Sequence, residues 1–98
     1  MAFVQIIQYR TSKVDEVRRV HDEWEAADSG GATQRALMCE DRDNPGQYLD
    51  IVFFESYEAA MEHSASPVTQ QFAQRMMALT DGEPTFYNLD VVDDRQLG

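Results

Sequence analysis

The chain is 98 residues long and 43% apolar, which is enough for one domain with a single core and too little for two. Its net charge of -10 repels phosphate backbones and anionic membrane surfaces, so we expect no nucleic-acid and no membrane partner. Cys39 is the only cysteine, which excludes an intrachain disulfide, and no signal region or membrane-spanning apolar run is visible. We therefore expect a cytoplasmic protein of one domain, residues 1–98, with Cys39 as a small buried apolar side chain.

The first two predicted elements are a strand and a helix. Residues 3–9 predict a strand that is apolar on both faces. Residues 13–27 predict a helix, and the glycine pair at 30–31 would end it. The inward-facing residues of this helix, at helical spacing, are Val14, Val17, Val20 and Trp24.

Two strands that form a hairpin follow. They are predicted over residues 33–40 and 48–54, with a polar turn between them. The second of these strands again carries apolar side chains on both faces, so it requires cover on both sides.

Two helical segments and a last strand complete the pattern. Ser56 predicts a helix N-cap, and Ser66 before Pro67 restarts the helix, because proline is tolerated at the first helical position. Residues 85–92 predict the fourth strand. The apolar stripe of the second helical segment consists of Val68, Phe72, Met76 and Leu79.

This order predicts an α+β fold of the ferredoxin-like βαββαβ type, a four-stranded antiparallel sheet with its helices on one face. The helices cover one side of the sheet only, yet the first, third and fourth strands are apolar on both sides. We therefore expect a homodimer in which two sheets close against each other.

Three stretches carry a resemblance to a known family. They are Phe3-Val4-Gln5-Ile6-Ile7, the run Phe53-Phe54-Glu55-Ser56-Tyr57-Glu58-Ala59 leading to His63-Ser64, and Pro67 through Phe72. Over nearly its whole length the chain resembles the dimeric α/β barrel superfamily, and within it the antibiotic-biosynthesis monooxygenase-like proteins. The resemblance implies a dimeric α/β barrel and leaves function open, because the scaffold hosts oxygenases, haem-degrading enzymes and proteins without known activity.

The resemblance implies two kinds of site. Haem-degrading members have a histidine on the second helix, where this chain has His63, and an asparagine on the first strand, where it has Ile7. Cofactor-free, quinone-forming monooxygenases hold a phenolic substrate with asparagine, tryptophan, tyrosine and arginine side chains. Residues of those types here are Trp24, Tyr48, Arg75, Tyr87 and Asn88.

His63 is the residue with the strongest case for catalysis. It lies beside Ala59 and Ala60 on the flank of the apolar helix face, where small neighbours leave room for a ligand, and imidazole suits acid–base work. The structural alternative is a partly buried histidine that is hydrogen-bonded to a carbonyl group. We interpret His21 as a boundary residue of the first helix, and Arg75 as a partner of a nearby carboxylate.

We expect a small homodimeric monooxygenase-like protein that acts on an aromatic or polycyclic hydrophobic molecule without metal or flavin. His63 would be the general base or an orienting donor in a cavity between sheet and helices. Two alternatives stay open: a non-catalytic dimer that binds a small molecule or a protein, and a haem-binding or haem-degrading protein that uses His63. The predicted substrate contacts are Trp24, Tyr48, Phe53, Phe72, Arg75 and Tyr87, and Trp24, Phe53 and Phe72 would line the cavity with His63. No histidine or cysteine pair has metal-ligand spacing, so we expect no metal site.

Overall fold

A computed structural model describes residues 2–27 and 33–98 of the chain. Its elements are β1 (Phe3–Arg10), α1 (Val14–Ala27), β2 (Thr33–Glu40), β3 (Gln47–Phe54), α2 (Tyr57–Ala65), α3 (Pro67–Leu79) and β4 (Thr85–Asp90). Every predicted element is present, with bounds within two residues of the prediction. The predicted glycine stop at residues 30–31 lies outside the described residues.

The four strands form one antiparallel sheet in the order β2-β3-β1-β4, so β1 and β3 are its central strands. This is the order of the ferredoxin-like fold, and the predicted fold class is confirmed. The last strand is two residues shorter than predicted. It ends at Asp90, which pairs with Phe3, the first residue of β1, and beyond this pair the Val91 N–H donates one more hydrogen bond to the Ala2 carbonyl at 3.0 Å.

Serine side chains begin α2 and α3, as predicted. The Ser56 hydroxyl accepts a hydrogen bond from the Ala59 N–H at 3.1 Å. The Ser66 hydroxyl accepts one from the Thr69 N–H at 3.2 Å, with Pro67 in the first turn. Ser66 also ends α2, so the two helices follow each other without a loop. This junction holds the last turn of α2 against the first turn of α3.

Side chains on the helix-covered face of the sheet form the core. One cluster joins Phe3, Phe54 and Ala60, and a second joins Tyr9, Val17 and Tyr48. Val17 of α1 is fully buried. Because side chains of a strand alternate between its two faces, residues between these core positions point away from the helices.

The opposite face of the sheet, called the open face below, carries an apolar patch. Its members, identified from strand register, are Val4, Ile6, Leu37, Leu49, Ile51, Phe53, Tyr87 and Leu89. Cys39 lies on the same face opposite Leu49 and is exposed in the single chain. The prediction of a buried Cys39 is therefore wrong for the chain by itself.

Replacing Phe54 by alanine is expected to lower the free energy of unfolding by about 3 to 5 kcal/mol, because it empties a site that is 1% exposed. Urea unfolding followed by circular dichroism, at one fixed protein concentration, measures the change. Phe86→Ala is the matched control. Phe86 is 56% exposed, so we expect a loss below about 1 kcal/mol. Equal losses in the two variants would contradict the core described above.

Candidate active site between helix α1 and strand β3

Helix α1 and strand β3 lie side by side, and the contacts along them follow one another in the same direction. From start to end these contacts join Val17 to Tyr48, His21 to Asp50, and Trp24 to Phe54 through the ring of His63. The two histidines of the chain therefore lie along one line between helices and sheet. Side chains spaced three residues apart on α1 share a face, which is why His21 and Trp24 both reach the sheet.

Asp50 is a buried carboxylate in the middle of a central strand, and it is only 9% exposed. The Tyr9 hydroxyl donates a hydrogen bond to Asp50 Oδ1 at 2.9 Å, and His21 Nε2 lies 2.9 Å from Asp50 Oδ2. Burial of a carboxylate is costly unless hydrogen bonds replace its water, and these two partners provide them. The three side chains form the Tyr9–Asp50–His21 chain, which joins β1, β3 and α1.

Tyr9 remains protonated through the physiological pH range. Burial raises the pKa of the Tyr9 phenol far above its usual value of 10.0, and the neighbouring Asp50 carboxylate raises it further. Because Tyr9 keeps its proton, it acts as a donor to Asp50. Oxygen Oδ1 is thereby occupied, and Oδ2 is the oxygen that faces His21.

His63 lies in an aromatic pocket made by α1 and β3. Its ring meets Trp24 edge-on, with centroids 5.5 Å apart at 86°, and it lies 5.4 Å from the Phe54 ring at 56°. His63 Nε2 is 3.4 Å from the Thr69 hydroxyl on α3. The imidazole is partly buried, so its predicted place on the flank of the apolar face of α2 is confirmed.

A groove of about 460 Å³ opens beside α1 and the edge strand β2. It is lined by Val14, Arg18, Met38, Glu40 and Tyr48. Its volume lies in the range of small-molecule sites, roughly 300 to 1,000 Å³. Three of these side chains offer apolar or aromatic surface, and the other two carry opposite charges.

The groove adjoins the Tyr9–Asp50–His21 chain. The Tyr48 ring, in the groove, stacks on Tyr9 with centroids 6.0 Å apart at 21°. Met38, also in the groove, is the register partner of Asp50. Burial raises the pKa of the Tyr48 phenol, with the Glu40 carboxylate acting in the same direction, so Tyr48 presents a neutral ring to the groove.

Solved structures show which fold this is. No protein-family model and no curated protein matches the sequence. SnoaB from Streptomyces nogalater, a cofactor-independent oxygenase, is similar with a TM-score of 0.81 at 15% identity over 95% of both chains. A Caulobacter crescentus structure named as an antibiotic biosynthesis monooxygenase has a TM-score of 0.81 at 16% identity, covering 94% of this chain and 91% of its own. One of the same name from Deinococcus radiodurans has a TM-score of 0.78 at 15% identity, covering 100% and 99%.

This chain has the same fold as these structures. The resemblance inferred from the sequence is confirmed at the level of the fold. At such low identity the likeness concerns the backbone, so the chemistry has to be argued from the side chains of this chain.

Within this fold, Trp24 and His63 come together as predicted, whereas Phe53 does not join them. Phe53 pairs with Val4 on the open face, and the next residue, Phe54, points to the helices. The prediction that Phe53 lines one cavity with Trp24 and His63 is therefore wrong.

The remaining predicted contacts lie apart from one another. Tyr87 is on the open face opposite Ile6 and is 43% exposed. Phe72 and Arg75 are on α3, where the Arg75 guanidinium lies 5.2 Å from the Phe72 ring centroid and pairs with Glu23 of α1. The predicted pairing of Arg75 with a carboxylate is confirmed, and a role for these three residues in binding stays a prediction.

Sequence reasoning missed Asp50 and gave His21 only a boundary role. The signal for Asp50 was present: an acidic residue at the centre of an apolar strand, between Tyr48 and Val52 on the helix-covered face. Nothing in the sequence indicated its partners, because Tyr9 and His21 are distant along the chain and meet Asp50 only in the folded sheet. Among residues 2–27 and 33–98 no group of three metal-binding side chains occurs, and no helix is long and apolar enough to cross a membrane.

Tyr9→Phe tests the buried hydrogen bond through its pH dependence. Because the folded state raises the pKa of Tyr9 above 10.0, this residue contributes stability that is complete below about pH 10 and falls as the pH rises further. We expect the stability advantage of the wild type over the variant to shrink by about 1.4 kcal/mol between pH 9 and pH 11. Urea unfolding at a series of pH values measures it, after circular dichroism at pH 8 shows that the variant is folded. A constant difference between wild type and variant would contradict the raised pKa.

Proposed function

We propose that this chain is a small homodimeric monooxygenase-like enzyme that acts on an aromatic or polycyclic hydrophobic molecule without metal or flavin. The observation that carries the proposal is the groove of about 460 Å³, walled by Val14, Met38 and Tyr48, beside the line of histidines. A flat aromatic molecule that carries polar substituents suits a lining of apolar and aromatic side chains together with Arg18 and Glu40. The fold supports the proposal, since SnoaB, which shares it, is a cofactor-independent oxygenase.

The chemistry defines the substrate class. An oxygenase that uses no cofactor has to take the electrons for reducing O₂ from its substrate. The proposed substrate is therefore an electron-rich phenol or enol that O₂ oxidises to a quinone. Anthrone is a simple member of this class: one oxygen atom of O₂ becomes the new carbonyl of anthraquinone, and the other leaves in water with the two hydrogens of the methylene group.

His63 is proposed to hold the substrate oxygen as an orienting hydrogen-bond donor. The rings of Trp24 and Phe54 pack against the imidazole and shield part of it from water, which strengthens a hydrogen bond made there. Tyr48, which lines the groove, and Trp24, which meets the His63 ring, are the ring surfaces proposed to contact a substrate long enough to extend from one to the other.

The homodimer is proposed from the open face. Its apolar residues, such as Ile6, Ile51 and Leu89, come from three adjacent strands and form one continuous patch. A large exposed apolar patch is covered at low cost by an identical patch on a second copy, which would also bury Cys39. The catalytic face of each sheet would stay on the outside of the pair, against its own helices.

Oxidation of anthrone tests the catalytic proposal. We expect the wild type to consume O₂ with anthrone above the buffer rate, and to incorporate ¹⁸O from ¹⁸O₂ into anthraquinone. His63→Ala should lower kcat/KM about 10- to 100-fold, the effect of losing one hydrogen bond to a charged group. Glu62→Ala, an exposed neighbour on α2, is the matched control and should retain the wild-type rate. If the wild type consumes O₂ no faster than buffer, and native mass spectrometry still shows bound anthrone, the enzyme proposal is rejected in favour of a non-catalytic binding dimer.

Native mass spectrometry tests the assembly. We expect twice the chain mass at micromolar concentration for the wild type. Ile51→Lys should give mostly single chains, because it places a charge at the centre of the open face opposite Ile6. The control is Glu25→Lys, which introduces a lysine on the exposed side of α1, away from the open face, and should remain dimeric. A wild type that runs as a single chain would reject the homodimer.

A further inference from the structure

The Tyr9–Asp50–His21 chain orients a histidine side chain beside the groove. We infer that His21, held by Asp50, is the general base of the groove, and that it removes a proton from a phenol or enolisable aromatic ketone bound there. The inference deepens the proposed function and rests on it for the substrate class. It is carried by hydrogen-bond geometry, by the register of the sheet and by the lining of the groove.

The hydrogen bonds determine where His21 can accept a proton. Asp50 is an acceptor on both oxygens, and Tyr9 already donates to Oδ1. His21 Nε2, 2.9 Å from Oδ2, therefore carries the ring hydrogen and donates it. In a neutral imidazole this leaves the lone pair on Nδ1, which is the arrangement that a carboxylate gives to a histidine base.

The His21 side chain is partly exposed, as a base that meets a substrate has to be. The His21 side chain is 30% exposed, and among the described residues its ring pairs with Asp50. Of the side-chain nitrogen and oxygen atoms in those residues, the one that is buried without a hydrogen-bond partner is Thr33 Oγ1. His21 Nδ1 is therefore not a buried atom without a partner, and the side chain to which it belongs is partly exposed.

The register of the two elements places His21 next to the groove, just beyond the residues that line it. Val14, Arg18 and His21 are spaced four and three residues apart, so they share one face of α1. The first two line the groove. On the sheet side, Met38 lines the groove and is the register partner of Asp50, which holds His21. His21 does not line the groove itself but lies one helical turn beyond Arg18, so a ring system that extends past Arg18 by about 5 Å would lie next to the imidazole.

The charges in and around the groove favour a substrate that is uncharged in solution and loses a proton only after it has bound. Arg18 supplies one positive charge to the groove, and Glu40 supplies a negative one. The net charge of -10 disfavours an anion arriving from solution. An uncharged phenol or enolisable ketone enters without that penalty, and Arg18 then offsets the negative charge that forms on it.

The proton step is balanced without an oxidant. The C–H or O–H bond of the substrate breaks, its electron pair stays on the substrate as the enolate or phenolate, and the proton binds His21 Nδ1. The imidazolium is stabilised by the Asp50 carboxylate. The reverse step returns a proton, or a deuteron if the solvent is D₂O. In this scheme His21 is the catalytic residue and Asp50 the positioning residue.

The test is hydrogen–deuterium exchange at the methylene group of anthrone, in D₂O under argon, followed by proton NMR. We expect the wild type to accelerate exchange above buffer, and His21→Asn to lower this acceleration at least about 100-fold. Asp50→Asn should cause a similar loss. With Tyr9 still donating to the amide oxygen, the amide N–H would face His21 Nε2 and move the ring hydrogen to Nδ1. Asp22→Asn, an exposed acid-to-amide change on the same helix, should leave exchange unchanged.

A second readout does not depend on any substrate. The ¹⁵N chemical shifts of the His21 imidazole should report a hydrogen on Nε2 in the wild type and on Nδ1 in Asp50→Asn. Three outcomes would each overturn the inference. The first is an exchange rate in His21→Asn and Asp50→Asn equal to that of the wild type, and the second is an unchanged His21 tautomer in Asp50→Asn. The third is a wild type that does not accelerate exchange. Oxygenation of anthrone by a wild type that does not catalyse exchange would reject the His21 base alone. Catalysed exchange without oxygen uptake would support His21 as the general base and reject the proposed oxygenase function.

Discussion

The buried carboxylate of Asp50 is the constraint on which the arrangement of this molecule depends. A carboxylate at the centre of a sheet has to be hydrogen-bonded, and its two partners come from a neighbouring strand and from a helix. Once Tyr9 and His21 satisfy it, the rotation of α1 about its axis is defined. The same rotation brings Val17 into the core and Trp24 to the ring of His63. The Asp50 carboxylate is therefore linked both to the packing of α1 on the sheet and to the positions of the candidate catalytic side chains.

The register that points Asp50 at the helices also determines the open face. Strand side chains alternate, so placing Asp50 inward necessarily places Ile51 outward. A shift of one residue would expose the core and bury the patch. The catalytic proposal and the homodimer thus depend on the same pairing of β1 with β3. They concern opposite faces of one sheet, which is how a chain of 98 residues can accommodate both.

The local parts of the structure followed from the sequence, because they depend on neighbours along the chain. Ser56 and Ser66 cap the helices as predicted, and Pro67 stands in the first turn of α3. The position of His63 beside small residues of α2 was predicted for the same reason, since it follows from the helical period, and its role in catalysis stays a proposal. Phe53 was misplaced because an aromatic residue on a strand that is apolar on both faces gives no sign of which face the helices cover. Which face of the sheet the helices cover is decided by the packing of the whole sheet.

By itself the sequence determined the element order, the antiparallel ferredoxin-like fold and the two-sided character of the central strands. These properties come from periodicity and from capping and turn chemistry, which act over a few residues. Only the tertiary structure decided that Tyr9, His21 and Asp50 meet, and that Met38 and Tyr48 form the groove beside them. Tyr9 and Asp50 are 41 positions apart, and their hydrogen bond exists only because β1 pairs with β3 in one register. A side chain's partner across a sheet is a property of that pairing, and no local pattern encodes it.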